Sequence, residues 1–168
     1  MSVSNSSLIG ANFGASGTTQ LFALGTRSAG TDGTEWEYVN ATGTFTTGEL
    51  VTIVPAGTAR TFVTAEAVLT ATGIDIAVVQ GVISQSEYGW VAKQGRNLYV
   101  LCTGTIAAGA GVGLCAVADG GGKLQVASGV AVNFTLFGIY VTTSSSTATA
   151  SVGVATLTWP RVAASVGA

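Results

Sequence analysis

The sequence predicts an all-β protein. The expected architecture is an antiparallel β-sandwich or a small, jelly-roll-like β-barrel, with an extended N-terminal arm and at most one short helix. Three observations predict it. Short runs rich in Val, Ile, Thr and aromatics alternate with turn signals about every 8–12 residues. Glycine does most of the punctuating, with 24 Gly against 2 Pro. Helical periodicity is almost absent.

The elements follow in order. Residues 1–18, MSVSNSSLIGANFGASGT, are small and polar, with isolated Leu8, Ile9 and Phe13. They read as an arm that orders on a neighbour, ahead of a single β-rich domain over 19–168. TQLFALGT (19–26) is a candidate strand, and Asp32-Gly33 marks a tight turn. In TEWEYVN (34–40), period 2 sets Trp36 and Tyr38 on one face and Glu35, Glu37 and Val39 on the other. The two glutamates are expected to face solvent. ELVTIV (49–54) is a strand stopped by Pro55. Within 58–73, TAEAVLTA (64–71) is the one segment with helical character.

IDIAVVQGVIS (74–84) is the next strand, with Gly81 as a bulge. GWVAKQ (89–94) and RNLYVLCTG (96–104) read as a pair joined near Gly95. VGLCAVADGGGKLQVAS (112–128) is the clearest hairpin. NFTLFGIYVTT (133–143) and ASVGVATLTW (150–159) form a last pair, ended by Pro160, which has no N–H to donate. No internal repeat of fixed period is evident.

Composition narrows the function. Only 8% of the 168 residues are charged, against about 25% in ordinary domains. So little charge suits a protein packed against other subunits. The basic residues Arg27, Arg60, Lys93, Arg96, Lys123 and Arg161 are scattered, so no patch exists to neutralise nucleic-acid phosphates. The uncharged stretch between Lys123 and Arg161 is too interrupted by glycine and polar runs to span a membrane. The start lacks the charged and apolar regions of a signal peptide, and synthesis in a cytoplasm is expected.

The chain has no histidine, which removes the commonest general base and His-based triads and metal sites. No carboxylate constellation points to an enzyme, and no cofactor is expected. GAGVG (109–113) and DGGGKL (119–124) lack the spacing of phosphate-binding loops. Cys102 and Cys115 read as small buried hydrophobes in neighbouring strands. Within SEYGWVAKQG (86–95), Tyr88 and Trp90 share strand parity, Gly89 admits a bend or a close backbone, and Lys93 reads as solvated or paired at a rim. Leu8, Ile9, Phe13, Trp36, Tyr38, Tyr88 and Trp90 are the candidate interface residues.

The order FALGT, TEWEYVNATG, GELVTIVP, YGWVAKQG, a Gly-rich hairpin and TWPRV resembles the head decoration (cement) proteins of tailed bacteriophages. The resemblance covers roughly residues 22–162. It implies a β-sandwich or barrel on the outer capsid surface of the virion, bound to the major capsid protein and self-associated as a dimer or trimer. It brings no catalytic residues. The alternative expectation is a head-fibre or tail-associated β-domain that binds a host glycan on exposed aromatics.

Overall fold

Strands form where the β-branched and aromatic runs lie. The computed structural model describes residues 11–54, 57–61, 75–106, 114–116, 122–126, 134–143 and 151–164. Among them are ten strands and no helix: β1 Arg27–Ala29, β2 Glu35–Ala41, β3 Leu50–Val54, β4 Thr58–Thr61, β5 Asp75–Val79, β6 Tyr88–Cys102, β7 Leu114–Ala116, β8 Leu124–Val126, β9 Phe134–Thr143 and β10 Ser151–Ala164. The all-β expectation holds. The candidate helix at 64–71 lies outside the described residues.

β2, β4, β3, β5 and β6 close into a five-stranded barrel, because β6 pairs back onto β2. All its pairings are antiparallel except β2 with β4. Closure removes open edges, and among the described strands only the three-residue β1 has a single neighbour. The barrel interior holds Val39, Phe45, Val51, Val79, Ile83 and Val91.

The remaining strands repeat this topology. β6, β10, β9, β7 and β8 form a second ring, closed by a parallel contact of β6 with β8 at Cys102 and Leu124. Each pairing of the first ring has a counterpart, with β6 serving as last strand of one ring and first strand of the other. Even the register matches. Tyr38, Val39 and Asn40 face Trp90, Gly89 and Tyr88. Tyr99, Val100 and Leu101 face Val154, Gly153 and Val152. After the strand, Thr42 N donates to Ala59 O at 3.1 Å, and Thr103 N donates to Leu124 O at 2.8 Å. The matching sequences are YVNATGTF (38–45) and YVLCTGTI (99–106). The chain thus contains a duplicated barrel, which corrects the expectation of no repeat.

The second core gathers Val100, Ile106, Leu124, Leu136, Val141 and Leu157. Leu50, Ile76 and Val78, from the outer faces of β3 and β5, join it. The wall of one barrel is therefore part of the core of the other. Gly48 sits at this seam, donating to Val79 O and accepting from Leu101 N, both at 2.7 Å.

Several local expectations change. TQLFALGT forms no strand: the chain turns at Ala23–Thr26, where Gly25 has φ 79° and Thr26 N donates to Ala23 O. The pair expected around Gly95 is one 15-residue strand, β6. Gly95 and Asn97 have positive φ, and they bend the strand from one ring into the next without ending it. A Cβ on Gly95 would lie 2.6 Å from Thr34 Oγ1. Pro160 does not end β10 either. The strand bulges between Leu157 and Arg161 and runs on to Ala164, so the missing N–H falls where the ladder is already broken. The hairpin at 112–128 forms as β7 and β8. Cys102 and Cys115 are not on neighbouring strands, because β8 lies between β6 and β7.

Candidate functional site: an aromatic face under the arm and a charged plug

Two clusters on the first ring carry the chemistry of the molecule. The first is on its outer face. Alternation along β2 and β6 points Trp36, Tyr38, Tyr88 and Trp90 outward, and the described part of the arm lies across them. Phe13 stacks on Trp36 with centroids 5.1 Å apart and meets Trp90 edge-on at 5.2 Å. Phe22 meets Tyr38 edge-on at 5.3 Å. Tyr38 and Tyr88 stack at 6.2 Å. The backbone fixes the arm as well: Gly17 and Tyr88 exchange hydrogen bonds of 3.0 and 2.8 Å. Gly81 does not act as a simple bulge. A Cβ there would lie 3.1 Å from Gly14 O, so it leaves room for the arm backbone.

The candidate residues Phe13, Trp36, Tyr38, Tyr88 and Trp90 thus come together in one cluster, while Leu8 and Ile9 lie outside the described residues. Tyr38 and Trp90 are each 3% exposed. Gly89 serves a different neighbour from the one expected. It faces the barrel interior, where a Cβ would lie 2.8 Å from the Ile83 side chain.

Between arm and barrel is a cavity of about 360 Å³. Phe22, Tyr38, Tyr88 and Trp90 form its apolar wall, and Ser16, Thr18 and Thr19 line it with hydroxyls. Tyr38 Oη accepts a hydrogen bond from Leu21 N at 3.1 Å. Glu87 anchors the arm beside it, accepting from Ser16 Oγ at 2.7 Å and from Ser84 N at 2.9 Å. These bonds hold the Glu87 carboxyl below the usual glutamate range, Ser16 being the main cause.

The second cluster lies inside the ring, at one end. Glu37 was expected in solvent and Lys93 at a rim; both are buried, at 5% and 2% exposure. The period-2 reading of β2 was right, but its faces are reversed. The arm covers the aromatic side, and the Glu37 side joins Val39 and Ala41 in the barrel. Glu35, on the same side but nearer the strand end, is half-buried. Lys93 Nζ contacts Glu37 Oε2 at 3.1 Å and also contacts Asp75 Oδ2. Arg27 reaches both acids, with Nε 3.1 Å from Glu37 Oε2 and Nη2 3.4 Å from Asp75 Oδ2. Trp159, held at φ 53°, covers the group, its ring 5.4 Å from the Arg27 guanidinium and 5.5 Å from Lys93 Nζ.

Sequence reasoning missed this plug because its members are far apart along the chain. The one available signal was the parity of Glu37 with Val39. Among the described residues no group of three or more His, Cys, Asp or Glu side chains is placed to hold a metal ion. The chain matches no protein-family model, no curated protein and no solved structure.

Proposed function

We propose that this protein is a virion structural protein, a capsid decoration or cement subunit that binds the outside of the major capsid protein shell. One observation carries the reading. The outer face of the first ring is covered by the arm, while on the matching face of the second ring, among the described residues, large apolar side chains stay exposed. There Tyr99 lies beside Val154, Leu101 beside Val152 and Tyr140 beside Thr156. Tyr99, Tyr140 and Val152 are each half-exposed. An apolar face of this kind suits a partner surface. The low charge of the chain and the resemblance noted above support the same reading. The protein would be made in a host cytoplasm and act on the capsid surface, self-associating there. Binding only the assembled shell would stabilise it by mass action.

The cavity favours a second reading, a β-domain that binds a host glycan. Aromatic walls with hydroxyls at hand suit a sugar ring. One experiment separates the two. Purified protein is added to capsids stripped of it, and thermal rupture is compared with and without it. In parallel, the protein is applied to a glycan array. Raised rupture temperature, abolished by Tyr99→Ser with Val152→Ser, supports the cement role. No shell binding with saturable glycan binding overturns it.

A further inference from the structure

The charged plug is not required by the barrel. In the second ring the registers place Leu98 where the first has Glu37, and Leu157 where it has Lys93. Both leucines are buried in the second core. The same topology therefore closes with an apolar pair at these positions. Buried ion pairs are weak stabilisers compared with apolar residues of similar size. The charges of the first ring call for a reason beyond packing.

Their arrangement supplies one. Lys93 is on β6, flanked by Glu37 on β2 and Asp75 on β5. Its amine touches one oxygen of each acid. We infer that Lys93 and Asp75 condense spontaneously into an intramolecular amide, with Glu37 relaying the protons and Arg27 stabilising the intermediate.

The step balances. The Lys93 ammonium gives a proton to the Asp75 carboxylate that it touches, and the freed Nζ attacks Cγ of the resulting carboxylic acid. The negative charge of the tetrahedral intermediate develops on an oxygen that faces the Arg27 guanidinium, an electrostatic stabiliser already in place. Glu37 passes protons from Nζ to the departing oxygen. The Cγ–O bond breaks and one water leaves. The Nζ–Cγ bond remains. No oxidant, metal or cofactor takes part. The lysine and aspartate charges vanish together, so Arg27 and Glu37 are left as a neutral pair.

Position supplies the driving force. Side chains held in contact react as if at effective concentrations on the order of 10⁵–10⁸ M. Burial of Lys93 and the Trp159 ring keep bulk water from the amine. Asp75, half-exposed at the barrel end, gives the released water an exit. The product ties β5 to β6 and locks the first ring.

The test is the intact mass of the full chain, allowing for removal of Met1. The expected mass is lower than the sequence mass by one water. Digestion with trypsin together with a glutamyl endopeptidase, which cuts after Glu87 between the two residues, should show no cleavage after Lys93 and a branched peptide containing Asp75 and Lys93. Asp75→Ala should have its full mass. Glu37→Gln should also keep its full mass while remaining folded. Should Glu37→Gln fail to fold, the wild-type mass and branched peptide still decide the bond. A wild-type chain at full sequence mass, with Lys93 and Asp75 in separate linear peptides, overturns the proposal. A linked Glu37→Gln chain overturns the relay.

Discussion

Tyr38 and Tyr99 occupy the same place in two successive barrels, yet Tyr38 is 3% exposed and Tyr99 51%. The difference is the arm, which lies over the first and not the second. The burial of Tyr38 and its neighbours thus depends on Phe13 of the arm, on Phe22 just after it, and on the hydrogen bonds that hold this segment down.

Trp90 is the centre of that contact, touching Phe13, Phe22 and Tyr38. Trp90→Ala is expected to cost about 3–5 kcal/mol, the usual range for emptying a large aromatic site. Chemical denaturation measures the cost. Limited proteolysis should cut the arm faster in the variant. An unchanged midpoint and an arm equally resistant to protease would contradict the packing described.

The charged plug predicts a non-additive pair. In an Asp75→Ala background, where no amide can form, Lys93→Leu leaves Glu37 buried with Arg27 as its remaining cation, and should cost about 1.5–3 kcal/mol. Adding Glu37→Leu reproduces the residues of the second ring and should recover part of that loss. A double-mutant cycle by urea denaturation gives the coupling. Additive losses would mean the two side chains do not act together.

Acid should loosen the arm. The Glu87 carboxyl is held below the usual glutamate range by Ser16 and Ser84. A lowered folded value means the stabilisation is fully present above the ordinary value, about 4.3, and is lost as pH falls through the depressed one. Arm protection should therefore fade as pH falls below the ordinary glutamate range. NMR titration of Glu87 should show its midpoint rising in Ser16→Ala. A midpoint that stays fixed would remove Ser16 as the cause.

Gly48 has φ 87°, and a Cβ on it would lie 2.8 Å from Leu101 N. Gly48→Ala meets both a left-handed backbone, costing about 1–2 kcal/mol for an L-residue, and a clash with backbone that cannot swing aside. The thermal midpoint should drop accordingly. A neutral substitution would mean that the seam between the rings is looser than these distances indicate.

Much of the fold was legible in the sequence. TEWEYVN, ELVTIV, IDIAVV and the LCAV–KLQV hairpin announced their strands through β-branched content and glycine turns. Parity also placed Trp36 with Tyr38 and Tyr88 with Trp90. What parity does not say is which side is inside. In a small barrel with an overlying arm, both faces of a strand are covered, so the rule that acids face water failed at Glu37. The duplication was hidden because the two units overlap in β6 and their spacing drifts: Tyr38 to Tyr99 is not the same interval as Trp90 to Val154. The ion cluster depends on residues brought together from β1, β2, β5 and β6, and local sequence has no signal for that.

The shared strand also sets an order of assembly during synthesis. The first ring has all five strands once Lys93 has left the ribosome, whereas the second waits for Leu157. In that interval the far half of β6, from Leu98 to Cys102, belongs to a finished barrel but has none of its second-ring partners. A nascent chain would hold an open, apolar edge for the time needed to make β7 through β10, when chaperones or a neighbouring copy have most access to it.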